Sequence, residues 1–243
     1  MESRLFEVFV YALGTALATG LGALPFILVR RISKRAIAIA NATSAGLMLG
    51  ASFGLLREAS RFGTWQPIVG GAVGLLFILL SERALSGRDV GFGALRGAGA
   101  RQAMLVMLVM TLHSFAEGVA VGVSFGGGAK LGTLITIAIA VHNIPEGLAI
   151  SASMRPRGAS ILACVGYSIL SSLPQPVMAV PAFLFVEQFR PLLPFGFGFA
   201  AGAMVLVVFM ELAPESYEAL SRRGVGLLVS LALGLMILFQ RYL

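Results

Sequence analysis

The sequence predicts an all-α integral membrane protein of eight transmembrane helices, packed as one bundle with a 3+2+3 inverted-repeat order. Three observations predict it. The 243 residues are 58% hydrophobic and only 12% charged, with a mean hydropathy of +0.92, far above a soluble domain in which about half the residues are apolar. The apolar residues gather into runs near the roughly 20 residues that one bilayer crossing needs. Lysine and arginine fall at the ends of those runs, where topology explains a net charge of +7 without a nucleic-acid partner. Thirty glycines fit the same class, because small residues let transmembrane helices approach where lipid gives no hydrophobic drive between them.

The eight segments are 6–29, 36–56, 65–83, 103–125, 131–154, 160–186, 192–213 and 224–240, within a single transmembrane domain, 1–243. The first is read as a retained helix rather than a secretory signal, since Glu2 and Glu7 spoil a basic leader and its apolar run is too long. Between the third and fourth segments, SGRDVGFGALRGAGAR (86–101) is the longest polar connection, and it has no histidine to collect metal. The fourth and fifth segments are joined by the short link GGGAKLG, so they should be adjacent and antiparallel. In the sixth, Pro174 and Pro176 bracket Gln175 and should distort the helix.

The connections 1–2, 3–4, 5–6 and 7–8 hold 12 of the 18 basic residues, among them Arg30, Arg31, Lys34, Arg35, Arg155, Arg157, Arg222 and Arg223. That bias puts them in the cytoplasm and both termini on the other side of the cell membrane. An echo relates AGLMLGASFGLLREAS (45–60) to AGAMVLVVFMELAPES (201–216). These segments run in opposite directions, as in an inverted repeat of helices 1–3 and 6–8 with 4 and 5 between. The single Cys164 excludes an internal disulfide and every cysteine-rich zinc site, and is expected in the packing.

The chemistry concentrates on the fourth and fifth segments. Both histidines of the chain are followed four residues later by Glu-Gly: His113-Ser-Phe-Ala-Glu117-Gly118 and His142-Asn-Ile-Pro-Glu146-Gly147. Residues i and i+4 share a helix face, so each helix presents an imidazole beside a carboxylate. A charge at the bilayer centre costs at least about 2.5–3.5 kcal/mol on insertion scales, and two carboxylates repel each other. No lysine or arginine lies within either apolar run, so a divalent cation or protons must answer them. Imidazole and carboxylate without thiolate suit Zn²⁺, Mn²⁺ or Fe²⁺ better than Cu⁺. Pro145 lacks the N–H that would bond the carbonyl of Val141, leaving that oxygen near the ligands.

At these residues the sequence resembles the ZIP family of divalent-metal transporters, in the form without a histidine-rich loop. HNIPEG in the fifth segment carries the resemblance, supported by HSFAEG in the fourth, AGLMLGASFGLLREA in the second and FAAGAM and ELAPE in the seventh. The resemblance implies uptake of Zn²⁺ or another divalent transition metal toward the cytoplasm, with the metal as transported substrate. It implies a primary site of His113, Glu117 and Glu146 with Met48 as a soft neighbour. It places His142, Asn143, Ser114 and Gln175 at an adjacent second site bridged by the two glutamates. Ser114 stands where the family commonly has Asn, and Gln175 where many members have Glu, so one strong site and a weak or absent second are expected. Glu211 and Glu215 are candidates to relay the ion to the cytoplasm, and Arg57 and Glu58 to guard the entrance. A homodimer is implied by the resemblance alone, with no heptad or polar interface to support it.

On that reading the repeats 1–3 and 6–8 rock against helices 4 and 5. Two other classes compete: an intramembrane metal-dependent hydrolase and a metal sensor that does not transport. HxxxE lacks the second histidine of HExxH, no other histidine completes a three-histidine site, and there is no Walker A motif. No enzymatic activity is expected.

Overall fold

The computed structural model describes residues 2–29, 32–85, 98–155 and 158–242, and gives no side-chain placement for His113. Most of the connection 86–101 therefore lies outside the described residues. In chain order the α-helices are α1 (Glu2–Leu21), α2 (Pro25–Leu28), α3 (Lys34–Ala59), α4 (Trp65–Leu85), α5 (Ala98–Gly126), α6 (Ala129–Met154), α7 (Ile161–Ser172), α8 (Pro174–Gln188), α9 (Leu193–Val207), α10 (Ala213–Tyr217) and α11 (Arg222–Tyr242). A π-helical turn, Val208–Leu212, joins α9 to α10. The eight segments read from the sequence are α1 with α2, α3, α4, α5, α6, α7 with α8, α9 through α10, and α11. Six of these are long and apolar enough to cross a membrane among the described residues, and α4 adds an apolar stretch over Trp65–Leu80.

Local chemistry explains the ends and breaks. Ser33 caps α3 by accepting from Ala36 N, and Ser160 caps α7 by accepting from Ala163 N, each at 3.1 Å. The interrupted crossings restart at proline: Pro25 opens α2, Pro174 opens α8 and Pro214 lies in the first turn of α10. Proline suits a first turn because its missing N–H would have no partner there. The break expected around Gln175 is thus real. By contrast α6 continues through Pro145 from Ala129 to Met154.

The main packing pairs obey one exchange rule. α4 lies along α9 as α11 lies along α3; α8 lies along α5 as α1 lies along α6; α3 meets α6 as α9 meets α5. Swapping the first three crossings with the last three, and the fourth with the fifth, leaves this pattern unchanged, as an inverted repeat requires. The tightest seams do not follow the repeat boundaries, however. The first and sixth crossings pack on the fifth and fourth, so the helices fall into two groups, crossings 1, 4, 5, 6 and crossings 2, 3, 7, 8. Glycine sets this division: α4 and α9 touch backbone to backbone, with Gly70 and Gly74 against the carbonyls of Phe195 and Phe199.

At the end shared by the N-terminus and the 4–5 and 6–7 connections, Arg4 ties three helices together. It donates to Phe125 O at 3.2 Å, pairs with Glu187 at 3.3 Å and lies 4.9 Å over the Phe183 ring. The main core runs through both groups and includes Met48, Leu55, Ile135, Ile139, Phe183, Phe197 and Met204. Cys164 is buried and free, packed with Ala23, Met110, Ile150 and Met154.

Candidate metal centre

α5 and α6 are linked through Gly127 and Gly128 and pack against each other. Their polar stripes meet midway along α6. Glu117, His142 and Glu146 are buried there, with ligand-capable atoms all within 4.8 Å of one another. His142 Nε2 lies 2.5 Å from Glu117 Oε1. Exposure is 0% at Glu117, His142, Asn143 and Gln175 and 2% at Glu146, so water cannot offset the charge of the carboxylates.

The glycine after each glutamate explains how further side chains reach the centre. A side chain at Gly118 would run into the backbone of Gln175 on α8, and one at Gly147 into the carbonyl of Thr19 on α1. Those two close approaches bring α8 and α1 against the site. Gln175 Nε2 donates to Glu117 Oε2 at 2.5 Å. Its Oε1 accepts from Asn143 Nδ2 at 3.2 Å and from the hydroxyl of Thr15. Asn143 Nδ2 also donates to Thr15 O at 3.0 Å. On the far side Ser44 of α3 donates to His142 O at 3.3 Å. Met48 lies one turn beyond Ser44 and is fully buried.

Among the buried atoms at this centre, His142 Nδ1, Asn143 Oδ1 and Ser114 Oγ have no hydrogen-bond partner in the described residues. Buried polar atoms are normally satisfied. The imidazole nitrogen and the amide oxygen are lone-pair donors of kinds that ligate divalent metals, so the residues present fit a cation.

Of the residues singled out in the sequence, Glu117, His142, Asn143, Glu146 and Gln175 come together, and Ser114 and Met48 are buried on α5 and α3. His113 lies on α5 one turn before Glu117, and its side chain is outside the described set. Glu211 falls in the π-helical turn, a local widening that often marks functional positions. Glu215 accepts from Asn41 Nδ2 at 2.8 Å. Glu58 pairs with Arg61 at 3.1 Å. Thr15, Asn41 and Ser44 were not anticipated. Their signal was nonetheless there: Thr15 and Thr19 are hydroxyls spaced i, i+4 in an apolar run, and Asn41 and Ser44 are spaced i, i+3.

A bundle of membrane-length helices around a buried imidazole and carboxylate cluster defines a class, the polytopic helical membrane proteins with a centre able to hold a cation. Comparison with known proteins narrows the class. The family described as ZIP zinc transporter matches residues 93–187. The chain is 34% identical over 222 residues to the zinc transporter GufA of Myxococcus xanthus, covering 83% of this chain and 85% of that protein. It is 31% identical over 235 residues to the zinc transporter ZupT of Corynebacterium glutamicum, covering 87% and 89%. A longer protein of Arabidopsis thaliana is 43% identical over 218 residues, covering 88% of this chain. The chain spans only 35% of that relative's length. The chain belongs to the ZIP family.

Proposed function

We propose that this protein carries Zn²⁺ across the cell membrane into the cytoplasm, taking other divalent ions such as Fe²⁺, Mn²⁺ and Cd²⁺ with lower preference. The observation that carries the reading is the buried cluster of Glu117, His142 and Glu146, two carboxylates and an imidazole with no basic side chain in either apolar run, 103–125 or 131–154. The names of the GufA and ZupT relatives, both zinc transporters, support zinc as the substrate.

The arriving ion exchanges water for Glu117, Glu146 and His113, with Met48 as a soft neighbour. His142, Asn143, Ser114 and Gln175 form the adjoining half of the centre. Its ligands must be deprotonated, so protons compete with the metal. The packing supports movement of crossings 1, 4, 5 and 6 against crossings 2, 3, 7 and 8, rather than of the two repeats against helices 4 and 5. The glutamates, their glycines and the helices those glycines touch all belong to the first group. Glu211 and Glu215 on the seventh crossing would then meet the ion on its way inward.

Uptake of radioactive Zn²⁺ into proteoliposomes tests the proposal, with the native protein compared against a Glu117→Ala, Glu146→Ala double variant. Saturable uptake lost in the double variant supports transport through this centre. Metal binding without uptake in the native protein would favour a sensor instead.

A further inference from the structure

We infer that the seam between the two helix groups holds a membrane phospholipid, its acyl chain in an apolar groove between α8 and α9 and its phosphate on Arg190. The site is separate from the metal centre and does not depend on the reading proposed for it.

The groove has a volume of about 330 Å³ and is lined throughout by apolar residues, which puts it in the size range of small-ligand sites. One wall is made by α5 and α8, through Val119, Met178 and Ala182, and the other by α9, through Phe195 and Phe199. α5 and α8 are already in close backbone contact, with Gly122 against the carbonyl of Ala179. The room comes from Pro181 and Ala182, two short side chains on α8 between the larger Met178 and Phe185. The first wall belongs to crossings 4 and 6 and the second to crossing 7, so the groove lies between the two packed groups.

The surroundings decide the occupant. α8 and α9 both belong to membrane-length spans, Ile161–Gln188 and Arg190–Tyr217. Phe185 and Leu192 on the rim are exposed, so the groove opens on the hydrocarbon around the protein. A polar ligand has nothing to bond in it, and water gains no partner there. From Val186 to Met178 the groove follows α8 for roughly 12 Å, at the helical rise per residue, a slot shaped for a chain.

Charge at the mouth says what bears the chain. Glu187 adjoins Val186, and Arg190 stands two residues before Leu192. Glu187 takes two guanidinium groups, Arg190 at 2.9 Å and Arg4 at 3.3 Å, so two positive charges face one negative charge. Arg4 is further engaged by Phe125 O and the Phe183 ring, whereas the Arg190 side chain is largely exposed. A guanidinium has five N–H donors and suits phosphate. A cation above an apolar slot matches the head and tail of a phospholipid. A chain in place adds contacts to both groups at once and steadies this arrangement of them.

The test reconstitutes the full chain in phosphatidylcholine vesicles that carry a small fraction of photoreactive lipid, with a diazirine on one acyl chain and either a phosphatidylglycerol or a phosphatidylcholine head. Labelled residues are located by peptide mass spectrometry after illumination. Leu231 and Leu235, exposed on α11, report ordinary contact with surrounding lipid. Native protein should be labelled at Met178 or Phe199 more strongly than at those two leucines. Groove labelling should be about five-fold greater from the anionic head, the factor that one cation near a membrane surface is worth, and Arg190→Gln should remove that preference. Ala182→Leu fills the groove, and Leu192→Trp narrows its mouth at an exposed position where folding is not at stake. Each should cut groove labelling and leave α11 unchanged. Groove labelling no stronger than at α11, equal labelling from both heads in native protein, a preference that survives Arg190→Gln, or full groove labelling in Leu192→Trp each overturns the inference.

Discussion

Replacing Glu146 by glutamine keeps the shape of the side chain and removes its charge. If the carboxylate serves the ion, half-saturation for Zn²⁺ should rise by at least about ten-fold, as expected for losing a charged ligand contact of roughly 1.5–3 kcal/mol. The metal-free protein should be no less heat-stable than the native one, because a buried charge is costly to keep. Thermal unfolding in a metal chelator checks this, and a large loss of stability would instead make Glu146 a structural group. In a Zn²⁺ titration the apparent affinity should also fall as the pH is lowered, since protons compete for the ligand lone pairs. At this scale the doubled HxxxEG was legible because it used every histidine of the chain at helical spacing. Thr15 was less so, because the spacing of Thr15 and Thr19 marks a polar face of the helix without saying which neighbouring amide meets it.

Among elements, the seams matter more than the helices they join. Gly147 is where α6 touches the α1 carbonyl of Thr19. Gly147→Ala should therefore push the two backbones apart and destabilise the protein by roughly 1–3 kcal/mol or more, with loss of Zn²⁺ binding as Thr15 leaves Asn143. Gly226 on α11 offers the control, since a Cβ there meets nothing. Gly226→Ala should be neutral or stabilising by up to about 1 kcal/mol, the usual helix preference for alanine. Melting temperatures of the two variants, measured side by side, separate a packing role from a generic glycine effect. Helix positions and the proline break at Pro174 could be read from the chain, since length, hydropathy and the missing N–H are local properties, whereas the break at Pro25 within the first segment was not anticipated. The π-helical turn at Val208–Leu212 could not, because nothing in VFMEL distinguishes a widened turn from an α-helical one.

For the whole molecule, the number of crossings and their order were legible, whereas their grouping was not. Connectivity suggested that each repeat moves as a unit. Packing instead follows the glycine seams, which pair α1 with α6 and α8 with α5 across repeat boundaries. We propose from the charge bias that both termini lie outside the cell, and the fold makes that easy to check. Cys164 is the single cysteine of the chain and is buried, so a cysteine added at either end should dominate labelling. A membrane-impermeant thiol reagent applied to intact cells should modify both added cysteines, and labelling that requires broken cells would reverse the orientation.

The pairing of two glutamates, with no lysine or arginine in the apolar runs that carry them, also gives the proposed uptake an electrical consequence. A deprotonated centre would bear about two negative charges, and a divalent cation would cancel them, so the loaded form would carry almost no net charge through the field. Under that proposal membrane voltage would have little grip on inward movement of the ion. It would act instead on the return of a deprotonated, unloaded centre, at about 2.3 kcal/mol per charge per 100 mV, and a potential negative inside would favour moving that negative centre outward. The resting potential of a cell would thus speed the recovery stroke rather than pull the metal in.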